Sequence, residues 1–373
     1  MGSLKVLFRD LGIIILATVA GLVVLDLLFG LIAGKKHMSL VPHDGRSGTY
    51  GYFAPGQDRE ILFPGQEPYA VKTNALGFRD VGSVITAENL KQGKRVLCIG
   101  DSNTFGLFVS DRDTYPYRLQ TLLGAGYPQV KVLNAGIGGT SIHDNLDYLV
   151  RKGLEIAPDL VVINFSTNDL EDLKRKTLVY DSFGVEGRQK ARESNIIRAF
   201  REVYVKIKHG HWLRKVKDEK AREILSRGEG SLEDSLYVCE HYFAPAVLKT
   251  PGTPELETVW REYFSYLDRL IDVLQARRIP LIFFTHPEPL TIFGSTEGSY
   301  EEHLARHLEG RESVYFVALA PVFKARGGDD ILALYNAPPR DFHLSGRGNQ
   351  IVAETLLDVI RHNGLLKDRG SQF

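Results

Sequence analysis

The sequence contains very little cysteine and no excess of charge of either sign. Its only two cysteines among 373 residues, Cys98 and Cys239, are too few for a disulfide framework or a four-thiolate zinc site. The 46 lysines and arginines balance 46 aspartates and glutamates, so the chain lacks the basic excess that is typical of nucleic-acid-binding proteins. Its 36 glycines and 16 prolines are close to average usage, which argues against a fibrous chain. The length and the 43% hydrophobic content predict at least one full-sized core.

Long apolar runs are also scarce, with one exception near the N-terminus. After a tail at residues 1–10, residues 11–33 carry a single charge, Asp26. At about 1.5 Å per residue, a helix of this length spans the roughly 30 Å hydrocarbon layer of a membrane. A cleaved signal peptide has a shorter apolar region, so we predict an uncleaved transmembrane anchor over residues 11–34. Basic residues flank both ends of the run, so charge alone does not orient it.

The rest of the chain alternates between strand-like and helix-like segments. Residues 35–94 predict an extended segment that leads into a main domain at residues 95–365, with a C-terminal tail at residues 366–373. Short apolar runs predict strands at Arg95–Ile99, Val130–Leu133, Leu160–Phe165, Leu281–Thr285 and Val314–Val317. Helical patterns separate them, at about Tyr115–Leu123, His143–Ile156, Leu256–Arg277, Tyr300–Leu308 and Gly346–Ile360. This alternation predicts an α/β three-layer domain, with a parallel sheet covered by helices on both faces.

The interval between the third and fourth predicted strands is much longer than a crossover requires. We therefore predict a largely helical cap insertion at residues 170–256. Within it, Arg198–Glu223 is a basic amphipathic stretch. Such a stretch either packs by its apolar side or meets an anionic membrane surface or substrate.

Polar blocks follow the predicted strands. They are Gly100–Gly106, Asn134–Gly139 and Ser166–Asp169 after the first three strands, and Asp341–Gly346 before the last helix. In open parallel sheets, ligands bind outside the carboxyl ends of the strands. We therefore expect a serine, a glycine, an asparagine and a histidine to converge on one edge of the sheet.

Each of these residues has a role in acyl transfer. Ser102 is the candidate nucleophile, and His343 is the candidate base that takes its proton. Asp341 could hold the imidazole tautomer and stabilise the imidazolium. The oxyanion of the tetrahedral intermediate would be bound by the backbone N–H groups of Ser102 and Gly136 and by the side-chain amide of Asn168.

The four blocks, in this order, resemble the SGNH (GDSL-type) hydrolase family of esterases and acyltransferases. The resemblance covers about residues 95–365 and implies a flavodoxin-like fold and serine catalysis without a metal or an organic cofactor. It carries the family's serine, glycine, asparagine and histidine onto Ser102, Gly136, Asn168 and His343.

One position departs from the family pattern. The family commonly places an aspartate three residues before the histidine, where this chain has Arg340. Either Asp341 or a backbone carbonyl would then orient the imidazole. Upstream, Thr73–Asp80 is similar to a segment that precedes the domain in membrane-anchored members, which implies a single-pass protein with its catalytic domain outside the cytoplasm.

Three further residues are candidates for substrate contact, namely Asp101, Asn103 and His286. His286 ends the fourth predicted strand and is also a rival base, although Pro287 follows it and no acid lies just before it. His303 and His307 are four apart on a predicted helix, but the His-Glu-x-x-His pattern of a zinc site is absent. We predict no metal site.

The sequence therefore predicts a membrane-anchored serine esterase. Its partners would be an ester substrate, with an O-acyl group on a carbohydrate or surface glycan as the candidate, and a membrane, but no nucleic acid. Three alternatives stay open: an O-acyltransferase that uses a sugar hydroxyl as acceptor, an anchored binding or assembly protein without turnover, and a lipid hydrolase whose cap faces the membrane.

Overall fold

The N-terminal region forms one long helix. The computed structural model describes residues 2–33, 36–37, 40, 49–61, 66–174, 215–243, 252–293 and 299–367. Helix α1 (Gly2–Ala33) includes Arg9–Leu28, which is long and apolar enough to cross a membrane by length and composition, and no part of which is buried against the rest of the chain. The same description fits a signal sequence, so this observation alone does not distinguish the two.

The segment before the main domain forms a small sheet that packs onto it. Its strands are β1 (Lys36–His37), β2 (Asp58–Ile61) and β3 (Tyr69–Lys72), with β1 parallel and β3 antiparallel to β2. Val71, Leu76 and Phe78 are buried in the same hydrophobic cluster as Leu97 and Ile99 of the main domain. The described part of this segment therefore belongs to the core of the domain.

The central sheet has five parallel strands. They are β4 (Arg95–Gly100), β5 (Lys131–Gly136), β6 (Leu160–Phe165), β7 (Leu281–Thr285) and β8 (Val314–Val317), in the spatial order β5–β4–β6–β7–β8. This is the flavodoxin-like order, and it brings the ends of β4 and β5 side by side, with Gly100 paired to Gly136. The fold predicted from the sequence is confirmed.

Helices cover both faces of this sheet. In chain order, the helices after α1 in the described residues are α2 (Ser102–Phe105), α3 (Tyr115–Gly124), α4 (Ile142–Arg151), α5 (Asp169–Asp172), α6 (Glu219–Arg227), α7 (Leu232–Val238), α8 (Pro254–Gln275), α9 (Pro289–Phe293), α10 (Tyr300–Leu308), α11 (Ala320–Gly327) and α12 (Gly346–His362), of which α6 and α7 belong to the cap and not to the layers on the sheet. A hairpin of β9 (Tyr335–Ala337) and β10 (Asp341–Leu344) precedes α12. Short 3₁₀ turns lie at Asp111–Asp113, Gly153–Ile156 and Gly328–Leu334.

Alternate residues of each strand face opposite layers. On β4, Leu97 and Ile99 join the cluster formed with α4, α8 and α10, whereas Val96 and Cys98 join the cluster formed with α3, α11 and α12. This period of two, with apolar residues on both sides, is what a strand between two helical layers requires. Three layers follow directly from it.

One predicted helix is two elements. The sequence suggests a single helix over His143–Ile156, but α4 ends at Arg151 and a 3₁₀ turn follows at Gly153–Ile156. Gly153 lies so close to the β4 side chain of Leu97 that a Cβ atom would be 3.0 Å from Leu97 Cδ2. The α-helix ends before this contact, and the helical periodicity of the sequence does not reveal that end.

The described part of the cap is helical. Helices α6 and α7 and a π-helical turn at Cys239–Phe243 surround a small core of their own, formed by Val216, Ala221, Ile224, Leu225 and Val238. Arg340 connects this region to the β9–β10 hairpin, because its Nε donates to the Leu225 carbonyl at 2.9 Å. Of the basic amphipathic stretch predicted at Arg198–Glu223, residues 198–214 lie outside the described residues.

Arg79 joins the segment before the domain to the turn that follows α2. Its side chain is fully buried and donates to the carbonyl oxygens of Phe105, Gly106 and Val109 at 2.6–2.7 Å. The same guanidinium pairs with Asp111 at 2.8 Å. A buried arginine with all these partners satisfied fixes the backbone after α2.

Candidate active site

Ser102 is the first residue of α2, directly after the carboxyl end of β4. Asp101 caps this short helix, since its Oδ1 accepts from the Asn103 N–H at 2.9 Å. Gly100 makes the turn possible: its φ is 154°, and a Cβ atom there would clash with Thr104. The local sequence therefore places the Ser102 side chain at the edge of the sheet.

Ser102, His343 and Asp341 form a continuous hydrogen-bonded series. Ser102 Oγ is 2.9 Å from His343 Nε2, and His343 Nδ1 is 2.9 Å from Asp341 Oδ2. Asp341 Oδ1 also accepts from the backbone N–H of His343 at 2.9 Å. The residue two positions before the histidine, and not Arg340, thus contacts the imidazole. This is the spatial arrangement of a nucleophile, a base and an orienting acid.

The surroundings of His343 favour its protonated form. Burial lowers the pKa of the imidazole, but the charge and hydrogen bond of Asp341 outweigh it, with smaller contributions from Asp101 and Glu288. The net effect raises the pKa of His343 above its ordinary value. Phe108 packs edge-on against the ring, with centroids 5.3 Å apart. The imidazole is therefore positioned by both a carboxylate and an aromatic side chain.

The glycine predicted for the oxyanion hole has a different environment. Gly136 ends β5, and its N–H donates to Asn134 Oδ1 at 3.0 Å. It is buried against α2, where a Cβ atom would clash with the Phe105 backbone. Gly138 is exposed and lies beside the nucleophile, since a Cβ atom there would be 3.7 Å from Ser102 Cβ. The small size of Gly136 serves close packing and its N–H already has an acceptor in this structure. Its part in an oxyanion hole stays a prediction.

Asn168 lies in the same cavity as Ser102. It precedes α5, and its Nδ2 donates to Asp172 Oδ2 at 2.9 Å. The amide nitrogen therefore has a carboxylate acceptor in this structure. Its part in an oxyanion hole stays a prediction.

Of the three residues predicted to contact substrate, two line the cavity and one does not. Asn103 and His286 line the cavity, and Asn103 Nδ2 also donates to Ser166 Oγ at 3.0 Å. Asp101 is buried, does not line the cavity and caps α2. In this structure its carboxyl group accepts a hydrogen bond within the turn that carries Ser102, and contact of Asp101 with substrate stays a prediction.

His286 is unsuited to be the base. Burial, with the nearby His343 adding to it, lowers the pKa of His286 to about 3, so the ring is neutral at physiological pH. Its Nδ1 has no hydrogen-bond partner within the described part of the chain. Ser102 Oγ is instead bonded to His343. The geometry favours His343 as the base.

A cavity of about 290 Å³ surrounds these groups. Its lining is both polar and apolar, and the apolar side chains come from the cap, α9 and β10. The residues are Ser102, Asn103, Thr167, Asn168, Glu171, Cys239, Phe243, His286, Glu288, Leu290, Asp341, Phe342 and His343. Within the described ranges, no group of three or more histidine, cysteine or acidic side chains is arranged to hold a metal ion.

Comparison with known proteins identifies the family. The sequence model of the GDSL-like lipase/acylhydrolase family matches residues 98–351. The chain belongs to this family. The resemblance inferred from the four sequence blocks is thereby confirmed, and this GDSL-type protein is a serine hydrolase of the esterase type.

Solved structures with a similar fold are distant in sequence. A catalytic variant of Axe2, an acetylxylan esterase from Geobacillus stearothermophilus, is 17% identical to this GDSL-type hydrolase, with a TM-score of 0.39 over 74% of this chain and 98% of that one. The lipase/acylhydrolase from Enterococcus faecalis is 14% identical, with a TM-score of 0.40 over 74% of this chain and 100% of that one. A search among curated proteins gave no match.

Several cavity residues of this GDSL-type hydrolase are absent from the sequence-based predictions, and two of them bear ionisable groups of particular interest, Glu288 and Cys239. Glu288 follows β7 at the same edge of the sheet as the predicted site, a position that could have drawn attention to it. Cys239 comes from the cap and has no local sequence signal. Burial raises the pKa of the Cys239 thiol far above its ordinary value, so the thiol is un-ionised where it lines the cavity.

Proposed function

We propose that the protein is a membrane-anchored esterase that removes an O-acyl group from a carbohydrate by way of an acyl-enzyme on Ser102. The observation that carries the proposal is the series of hydrogen bonds from Ser102 Oγ through His343 to Asp341, each 2.9 Å long. A serine hydroxyl becomes an effective nucleophile when a positioned base accepts its proton. Here the base is itself held by a carboxylate.

In the first half-reaction, Ser102 Oγ attacks the acyl carbonyl while His343 Nε2 takes the hydroxyl proton. Negative charge develops on the carbonyl oxygen and needs preorganised donors. We assign these donors to the Ser102 N–H, to the turn at Gly138 beside it, and to the Asn168 amide, which must exchange Asp172 for the oxyanion. Gly138 replaces Gly136 in this role because its position is exposed beside Ser102.

The first half-reaction ends when this tetrahedral intermediate collapses: the bond between the acyl carbon and the alcohol oxygen breaks, the imidazolium of His343 protonates the leaving alcohol, and the acyl group stays on Ser102. In the second half-reaction, water attacks the acyl carbon while His343 takes a proton from it. The second tetrahedral intermediate then collapses, as His343 returns that proton to Ser102 Oγ and the free acid leaves. Asp341 holds the imidazole ring and stabilises the imidazolium at both stages.

An O-acyltransferase is the second candidate. The observation in its favour is that Cys239 and Phe243 of the cap line the cavity, so that the cap could help to exclude water. A sugar hydroxyl would then take the place of water in the second half-reaction. The lipid-hydrolase alternative depends on the stretch at Arg198–Glu223, most of which lies outside the described residues.

Product analysis separates hydrolysis from transfer. The full-length protein in detergent should release acetate from an acetylated xylo-oligosaccharide at the same rate whether or not an unacetylated oligosaccharide is added. Acetate is followed enzymatically and new acetylated products by mass spectrometry. An acceptor-dependent rate with acetyl groups appearing on the added oligosaccharide would establish the transferase instead. If no acetate ester gave either free acetate or a transferred acetyl group, that result would contradict the proposal.

The proposal places α1 in the membrane as an uncleaved anchor, with the hydrolase domain outside the cytoplasm. Its support is the apolar, unburied surface of Arg9–Leu28. We expect the full-length protein, expressed in a bacterium, to stay in the membrane pellet after alkaline carbonate washing and to keep its N-terminal residues by mass spectrometry. Protease added to spheroplasts should digest the domain. A shortened, carbonate-soluble product would show that the segment is a signal peptide.

A further inference from the structure

Glu288 lies on the wall of the active-site cavity and has no part in the reaction steps above. Thr167, from the loop after β6, donates its hydroxyl hydrogen to Glu288 Oε1 at 2.9 Å. Within the part of the chain that the structure describes, Oε2 accepts no hydrogen bond. One carboxyl oxygen is thus held in place, and the other is available to a group that enters the cavity.

The charge of Glu288 is also uncompensated by a cation. No lysine or arginine is among the described residues that line this cavity, and no ion pair involves Glu288 there. Burial raises the pKa of the carboxyl group to about 7, an effect opposed in part by Thr167 and by His343. A partly buried carboxyl group without a cationic partner is costly unless other hydrogen bonds satisfy it. Such groups are concentrated at sites that bind or transform a ligand.

Glu288 lines the same cavity as His343, the residue that hands a proton to the leaving alcohol. His343 Nε2 returns a proton to the leaving oxygen, so the alcohol part has to lie against the imidazole. Glu288 and His343 are close enough for each to shift the pKa of the other. A carboxyl group at this position accepts a hydrogen bond from a hydroxyl when ionised, and both donates and accepts when protonated. An anionic group would be repelled.

We infer that Glu288 forms a binding subsite for a free hydroxyl group on the alcohol part of the ester. The substrate is then a partly acylated polyol or carbohydrate that retains a hydroxyl near the scissile bond. This inference rests on the proposed esterase function and names the substrate class of the same site.

The test compares two acetate esters that differ only in hydroxyl groups, glycerol monoacetate and propyl acetate. Both have the same acyl group and a three-carbon alcohol. The full-length protein in detergent is assayed as wild type and as Glu288→Leu, Glu288→Gln and Glu309→Gln. Leucine removes every hydrogen bond of the carboxyl group, whereas glutamine keeps an oxygen that can accept from Thr167. Glu309 is exposed and lies outside the cavity, so its variant controls for loss of a negative charge.

We expect the wild type to prefer glycerol monoacetate in kcat/KM. The ratio of kcat/KM for the two esters should fall about ten-fold or more in Glu288→Leu, since a hydrogen bond to a charged group contributes about that much discrimination. The ratio for Glu288→Gln should lie between those of the wild type and Glu288→Leu, and Glu309→Gln should keep the wild-type ratio. Thermal unfolding of each variant shows whether it is folded, and the glutamine variant provides the comparison if the leucine variant is not.

Two results would overturn the inference in different ways. If the wild type hydrolyses both esters and the ratio is unchanged in the folded Glu288 variants, the hydroxyl subsite is wrong and the esterase function stands. If the wild type hydrolyses neither these esters nor an aryl acetate, the proposed function fails and this inference fails with it.

Discussion

Replacing Ser102 by alanine should abolish turnover of an aryl acetate, with kcat lowered by on the order of 10⁴-fold or more. The reason is that Ser102 Oγ is the atom bonded to His343 Nε2, at 2.9 Å, and alanine leaves no nucleophile for the acyl group. The variant should also fail to form an adduct with a fluorophosphonate, which reacts only with an activated serine. Intact-protein mass spectrometry measures the adduct, and release of the phenol measures turnover.

Ser226→Ala is the matched control for this experiment. Ser226 is exposed on α6, outside the active-site cavity, and its removal should leave both labelling and turnover at wild-type values. Continued labelling of Ser102→Ala, or turnover within ten-fold of the wild type, would show that another residue is the nucleophile. A folded wild type that neither labels nor turns over would favour an anchored binding protein.

The fold was predictable because its strands are apolar almost throughout and its helices alternate with them. The five central strands lie within a few residues of their predicted positions, and the largest difference is at the second, where β5 continues to Gly136. The sequence pattern could not show where a helix ends because of a contact with a distant part of the chain. Gly153 interrupts a helical periodicity because of its close approach to Leu97, a contact between residues far apart in sequence.

The candidate site was predictable to the extent that topology determines it. Parallel strands bring Ser102 and Asn168 to one edge, and the block before α12 brings His343 there. The hydrogen bond from the Gly136 N–H to the Asn134 side chain was not predictable, since it depends on how the backbone turns at the end of β5. Glu288 was missed for a similar reason: its significance comes from burial without a cation, which no local motif expresses.

The segment Thr73–Asp80 has a structural role that its sequence did not reveal. Its similarity to a segment in anchored family members implied a catalytic domain outside the cytoplasm, which stays a prediction, and gave no physical role for the segment itself. The structure supplies one, because Arg79 is buried and binds three carbonyl groups after α2. A charged side chain that satisfies backbone groups from another part of the chain cannot be recognised from its own neighbours in sequence.

Replacing Asp341 by asparagine should lower kcat by about 10³- to 10⁴-fold while leaving the protein folded. Asparagine has nearly the same shape as aspartate, but it cannot stabilise the imidazolium, and its amide can bind the wrong tautomer of His343. Asp330→Asn is the matched control, because Asp330 is exposed and pairs with Arg347 away from the cavity. Its kcat should equal that of the wild type.

The pH profile separates this role of Asp341 from a structural one. Catalysis needs neutral His343, so kcat/KM should rise with pH through the pKa of that imidazole. Asp341 raises the pKa of His343 above its ordinary value. The acid limb of the pH profile, where kcat/KM of the wild type rises with pH, should therefore have its midpoint above about pH 6.5. Asp341→Asn removes the charge that favours the imidazolium, so the limb of its residual activity should move to lower pH. A variant whose kcat is unchanged, or whose acid limb stays in place, would show that the carboxylate does not act through His343, and a backbone carbonyl would then be the group that orients the ring.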